Sequence, residues 1–80
     1  MNMNQQQFKT SDFYLSVFLL CRGLRLIDLD RANPRRVSFV FQAAPRLAEM
    51  VQEFSFGEEA LVDARSFAAA VKELKNKLYG

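Results

Sequence analysis

The sequence predicts a single small α+β domain with elements in the order α-β-β-α-α, a two-stranded antiparallel hairpin packed against three helices. Three observations lead there. An apolar run from Phe13 to Cys21 follows Thr10-Ser11-Asp12 and closes at Gly23. Apolar and polar residues alternate through 36–42, the period of a strand. Two later segments carry stripes at helical spacing, Leu47, Met50, Val51 and Phe54, then Phe67, Val71, Leu74 and Leu78. Eighty residues suit one domain and not two. Residues 1–7 are polar apart from two Met and read as a flexible tail, which leaves 8–80 for the domain.

Each element has a local cause. Asp12 suits the positive end of a helix dipole, and Thr10 or Ser11 offers an N-cap hydroxyl, so the first helix is expected from about Ser11 to Cys21. It is apolar nearly all round and must therefore be buried on several sides or face another chain. Gly23 takes the left-handed conformation that closes a helix. Leu24 to Asp30 reads as a strand with broken alternation: Leu24 and Leu26 share one parity, Ile27 and Leu29 the other. A bulge near Ile27 reconciles them. Residues 31–35 form a turn around Pro34. In the strand from Arg36 to Gln42, Val37, Phe39 and Phe41 share the inner face. Pro45 opens the second helix and Gly57 closes it; Glu58 to Val62 is a short connection, and Asp63 is the N-cap of the third helix. The expected core is Phe18, Leu20, Phe39, Phe41, Val51, Phe54, Phe67, Val71 and Leu74.

Composition removes whole classes of function. The chain has no His, which excludes Ser-His-Asp and Cys-His catalysis and every zinc site that needs imidazole. One Cys excludes a disulfide framework and a Cys-rich cluster, and an unpaired thiol fits a reducing cytoplasm. Met1 to Gln7 lacks a basic and an apolar region, so it is no signal peptide, and Phe13 to Cys21 is too short to span a bilayer. Cys21 reads as a small core hydrophobe. Glu58-Glu59 and Asp28/Asp30 read as solvated carboxylates, since nothing marks a cleft around them. No enzyme activity, cofactor, metal, membrane association or small-molecule substrate is expected.

Two features point outward. Arg22, Arg25, Arg31, Arg35 and Arg36 lie on or beside the hairpin, and arginine forks match phosphate oxygens, which makes a nucleic-acid surface using Arg25, Arg31, Arg35 and Arg36 the alternative reading. Asp28 and Asp30 lie in the same stretch and can offset two of these charges, and the net charge is only +2. Phe39 and Phe41 echo the base-stacking aromatics of RNA-recognition modules, but that fold needs four strands, so core is the preferred reading. Lys72, Lys75 and Lys77 fall on different sides of the third helix and suit its C-terminal dipole.

The pattern Phe8-Lys9-Thr10-Ser11-Asp12-Phe13-Tyr14-Leu15, with Phe18-Leu19-Leu20, Gly23, Phe39-Val40-Phe41, 62–67 and Leu74 to Tyr79, resembles a small bacterial and phage family of domains of unknown function. It departs at Phe54-Ser55-Phe56-Gly57, where aromatic-Asn-Gly is more usual. The resemblance implies no catalytic residues and a mobile-element or accessory role. The functional expectation is a non-catalytic protein-interaction module, self-associating as a homo-oligomer or docking on a larger partner. Tyr14 and Leu15 are the expected outward-facing contacts, because a third apolar side of the first helix has no obvious cover within 80 residues.

Overall fold

A computed structural model describes residues 7–56 and 62–80. The elements are β1 (Gln7–Thr10), α1 (Phe13–Cys21), β2 (Leu26–Asp30), β3 (Ser38–Gln42), α2 (Leu47–Phe56) and α3 (Ala64–Tyr79). The three helices and the β2–β3 hairpin are as expected, but the sheet has three antiparallel strands in the order β1-β3-β2. The added strand is the segment preceding the first helix. Its few residues show too short an alternation to read as a strand in isolation, and only pairing with the far side of β3 makes it one. Gln7, expected in the tail, opposes Gln42 in this ladder. The rest of that tail, the closing Gly57 and most of the expected 58–62 connection lie outside the described residues.

The register explains the uneven alternation of β2. Leu26 faces Phe41 and Asp28 faces Val40, so Ile27 is an extra residue in a bulge. The bulge restores parity: Leu26 and Leu29 both reach the inner face opposite Phe41 and Phe39, and Ile27 is turned toward solvent. Phe8 is the third inward member, opposite Phe41 on the other side.

Helix α1 lies at the centre. Asp12 Oδ1 accepts from Leu15 N–H at 3.0 Å, and Thr10 Oγ1 accepts from Asp12 N–H at 3.1 Å, so strand and helix meet in a tight junction. At the other end Leu24 N–H donates to Leu19 C=O and Gly23 N–H to Leu20 C=O, with Gly23 at φ +91°. This double bond pattern is a Schellman motif, and its two apolar members, Leu19 and Leu24, are both in the core. Leu24 therefore closes the helix instead of opening β2. The five consecutive residues Leu15 to Leu19 are all buried. A helix buried through more than a full turn is surrounded, and α3, α2 and β1 all pack on α1. The expectation of an outward-facing Leu15 fails for this reason: it is 7% exposed and belongs to the core.

The core also contains Val17, Phe18, Phe39, Phe41, Ala70 and Leu74. Phe67 was expected there and is 39% exposed; the inward places on α3 belong to Ala70 and Leu74. A methyl side chain lets two helices approach closely where a phenyl ring holds them apart. Leu20, Phe54 and Val71 sit half-buried at the margin of this core, and Val51 is half-buried as well. Asp63 caps α3 as expected, its carboxylate accepting from Ser66 N–H at 3.0 Å.

The outer face of the sheet is bound by charge. Lys9 opposes Val40 and Asp30 opposes Ser38, so the 2.7 Å Lys9–Asp30 ion pair crosses the central strand. The bond to Lys9, with a second from Ala32 N–H, holds the Asp30 carboxyl below its ordinary value.

Truncation tests this arrangement. Phe41→Ala is expected to cost about 3–5 kcal/mol in urea unfolding, whereas Phe67→Ala costs under about 2 kcal/mol. Asp63→Ala is expected to cost about 1 kcal/mol by the same measurement. Because the native Asp30 value is lowered, its contribution is complete above the unfolded-state value and is lost as pH falls through the native one. The stability difference between wild type and Asp30→Asn should therefore shrink below about pH 4. A difference that stays constant there would remove the ion pair from the account.

Candidate interaction surface

The hairpin tip is shaped by side chains bonding to its own backbone. Asp30 Oδ1 accepts from Ala32 N–H at 2.9 Å, and Asn33 Oδ1 accepts from Arg35 N–H at 3.0 Å. These short-range bonds offer the chain a turn in place of a ladder. Arg35 and Arg36 project from this turn and are exposed.

Arg31 has a different task. Its guanidinium donates to the carbonyls of Lys77 and Leu78, at 3.1 and 3.2 Å, in the last turn of α3. These carbonyls lack partners within their own helix, and a cation there also favours the helix dipole. Arg31 thus ties the tip to the end of α3. Arg25 stands at the opposite end of β2, on the order of 20 Å from the tip by strand rise. The expected arginine group is therefore divided: Arg35 and Arg36 exposed at one end, Arg31 engaged beside them, Arg25 exposed at the other end. Arg22 turns away toward α2, with its guanidinium 4.7 Å from the Phe18 ring centre and bonded to Glu53. Asp28 bonds to the Leu29 N–H and Asp30 to the Ala32 N–H and Lys9, rather than to these arginines.

A groove of about 390 Å³ lies beside β2, lined by Leu26, Ile27, Asp28, Leu29, Arg31 and Lys77. It was not foreseen from sequence, because Lys77 and Ile27 are 50 residues apart and only the fold brings them together. β2 is an edge strand, so one side of its backbone has no strand partner among the described residues. Gln42 N–H donates to Arg25 C=O at 2.9 Å, which makes Arg25 and Gln42 a hydrogen-bonded pair. Antiparallel alternation, counted through the bulge, then directs the backbone groups of Leu26 and Leu29 to the free side. Leu29 N–H is held there by Asp28 Oδ1 at 2.8 Å. A carboxylate on an edge strand is a recognised guard against indiscriminate strand pairing.

Tyr14 is 62% exposed, with its ring edge against Phe13, 5.4 Å between centres. Leu15, its expected companion, is inside. Phe39 and Phe41 are buried and present no face for base stacking. Burial, reinforced by the nearby Asp63 carboxylate, pushes the Cys21 thiol up against a smaller opposing influence from Arg22, so the thiol form prevails at neutral pH. Helix α2 keeps its apolar stripe only half-buried, anchored by Phe54 against Phe18 with 5.5 Å between ring centres, and Phe56 at its end is 82% exposed. Among the described residues no three acidic or Cys side chains gather as metal ligands, and no helix is long and apolar enough to cross a membrane.

No curated protein and no solved structure matches the chain. Residues 5–80 match the family described as Domain of unknown function (DUF5659), which spans the whole sheet, all three helices and the groove. The chain belongs to that family.

Proposed function

We propose that the domain is a non-catalytic protein-interaction module that engages its partner along the free edge of β2. The observation that carries this reading is the edge of β2, which has no strand partner among the described residues and, as one of the two edges of the sheet, is bordered by a groove lined from α3 by Lys77. An edge strand offers backbone donors and acceptors in a fixed row, and an extended chain can add to it with no rearrangement of the core. The alternative is a nucleic-acid-binding domain using Arg25, Arg31, Arg35 and Arg36. The exposed Arg35 and Arg36 favour it; the engagement of Arg31 with α3 and the remote position of Arg25 count against a single phosphate-binding surface. Tyr14 remains an accessory contact candidate, without the apolar neighbour that made the first helix the leading surface.

Selection from a random twelve-residue peptide library, followed by amide chemical-shift mapping of the enriched peptides, tests the proposal. Enriched peptides are expected to move the signals of Leu26 to Asp30. Enrichment that maps instead to Tyr14 or α2 would relocate the surface. A library yielding no binder, with a twelve-nucleotide single-stranded DNA moving Arg35 and Arg36, would transfer the function to nucleic acid.

A further inference from the structure

We infer that the segment received by the β2 groove is extended and acidic, joining the sheet as a fourth strand. This rests on the interaction-module reading and adds the chemistry of the partner. The argument is one of charge and geometry. Arg31 and Lys77 line the groove against a single carboxylate, Asp28. Arg35 and Arg36 stand just beyond its tip end and Arg25 at its other end. Of the other nearby acids, Asp30 is already paired with Lys9 on the outer face of the sheet, and Glu73, one turn before Lys77 on α3, lines a separate depression with Lys72 and not this groove. The Lys77 ammonium is exposed and forms no ion pair among the described residues.

A strand added beside β2 lies about 4.8 Å from it, within a groove that separates β2 from Lys77. Its backbone meets Leu26 and Leu29, and side chains alternating along it pass Arg31 and Lys77 in the groove. Nucleic acid fits this place less well, because the backbone groups of an edge strand match another peptide and not a phosphate chain. Asp28 sets the selectivity. It occupies Leu29 N–H, so an incoming carbonyl must displace it, and its charge opposes an acidic chain in the middle of the groove. Only a segment with enough attraction to the flanking cations overcomes that guard.

The test is a chemical-shift titration of the full chain with three blocked octapeptides, alternating Thr with Glu, Thr with Lys and Thr with Ser. The Thr-Glu peptide is expected to move the signals of Leu26 to Asp30 and to bind about tenfold tighter than Thr-Lys, the effect of two or three exposed ion pairs. Lys77→Glu should abolish that preference, and Lys77→Gln should reduce it without reversing charge. Asp28→Ala should tighten Thr-Glu binding by freeing Leu29 N–H and removing the like charge. Thermal unfolding of each variant confirms that the fold is retained. Equal movement of β2 by all three peptides would overturn the acidic assignment and leave the interaction reading in place. Silence of β2 toward every peptide, including those enriched from the random library, would overturn both. Signals of β2 that move on concentrating the protein alone would give the edge to a second copy of the chain and overturn the peptide assignment.

Discussion

The constraint on which the rest depends is the double pairing of β3. It is the only strand in the described sheet with a partner on each side, and Phe39, Val40 and Phe41 are buried in succession. A strand buried on both faces and bonded on both edges has no freedom to slip, since a shift of one residue would exchange every inward and outward side chain. Phe41 is fully buried and faces Phe8 on one neighbour and Leu26 on the other. The inner face of the sheet is therefore set by β3, and α1 lies against it as the second half of the core.

The bulge at Ile27 follows from that constraint. With β3 immobile, β2 must bring both Leu26 and Leu29 inward, and their odd spacing requires one residue to be passed over. The residue passed over is apolar and half-exposed on the edge, and it lines the groove. A feature needed for packing thus also shapes the surface. Bulges commonly occur at sheet edges, where they re-aim a side chain or end a pairing.

Charge is distributed with the same economy. Lys9 and Asp30 join the two outer strands across β3. Arg31 closes α3 and fixes the hairpin tip against it. Arg22 joins α1 to α2 through Phe18 and Glu53. Exposed ion pairs and charge-assisted bonds of this kind add little stability individually. Their effect here is positional, each fixing one element against another. Helix α2 shows the limit: it has no fully buried residue and is joined to the domain chiefly through α1.

Local signals were legible in the sequence wherever one residue type acts on its immediate neighbours. Asp63 as a cap, Gly23 as a helix end, the bulge near Ile27 and the inward faces of Phe39 and Phe41 were all read from spacing and side-chain chemistry. The burial of Leu15 was not, because an apolar helix gives no sign of how many neighbours cover it. Strand β1 was missed for a related reason: four residues carry little periodicity, and their extended form comes from the waiting edge of β3. Phe67 and Ala70 exchanged roles because stripe counting weights side-chain size, while close helix packing selects for the small side chain. The groove joins β2 to the end of α3, where Arg31 bonds to carbonyls more than 45 residues away along the chain. The sequence alone determined the three helices, the hairpin and the Gly23 and Asp63 helix ends; the tertiary structure added β1, gave the first helix its cap at Asp12 and decided which cations stand beside the open edge of β2, since these depend on how the segments meet in space.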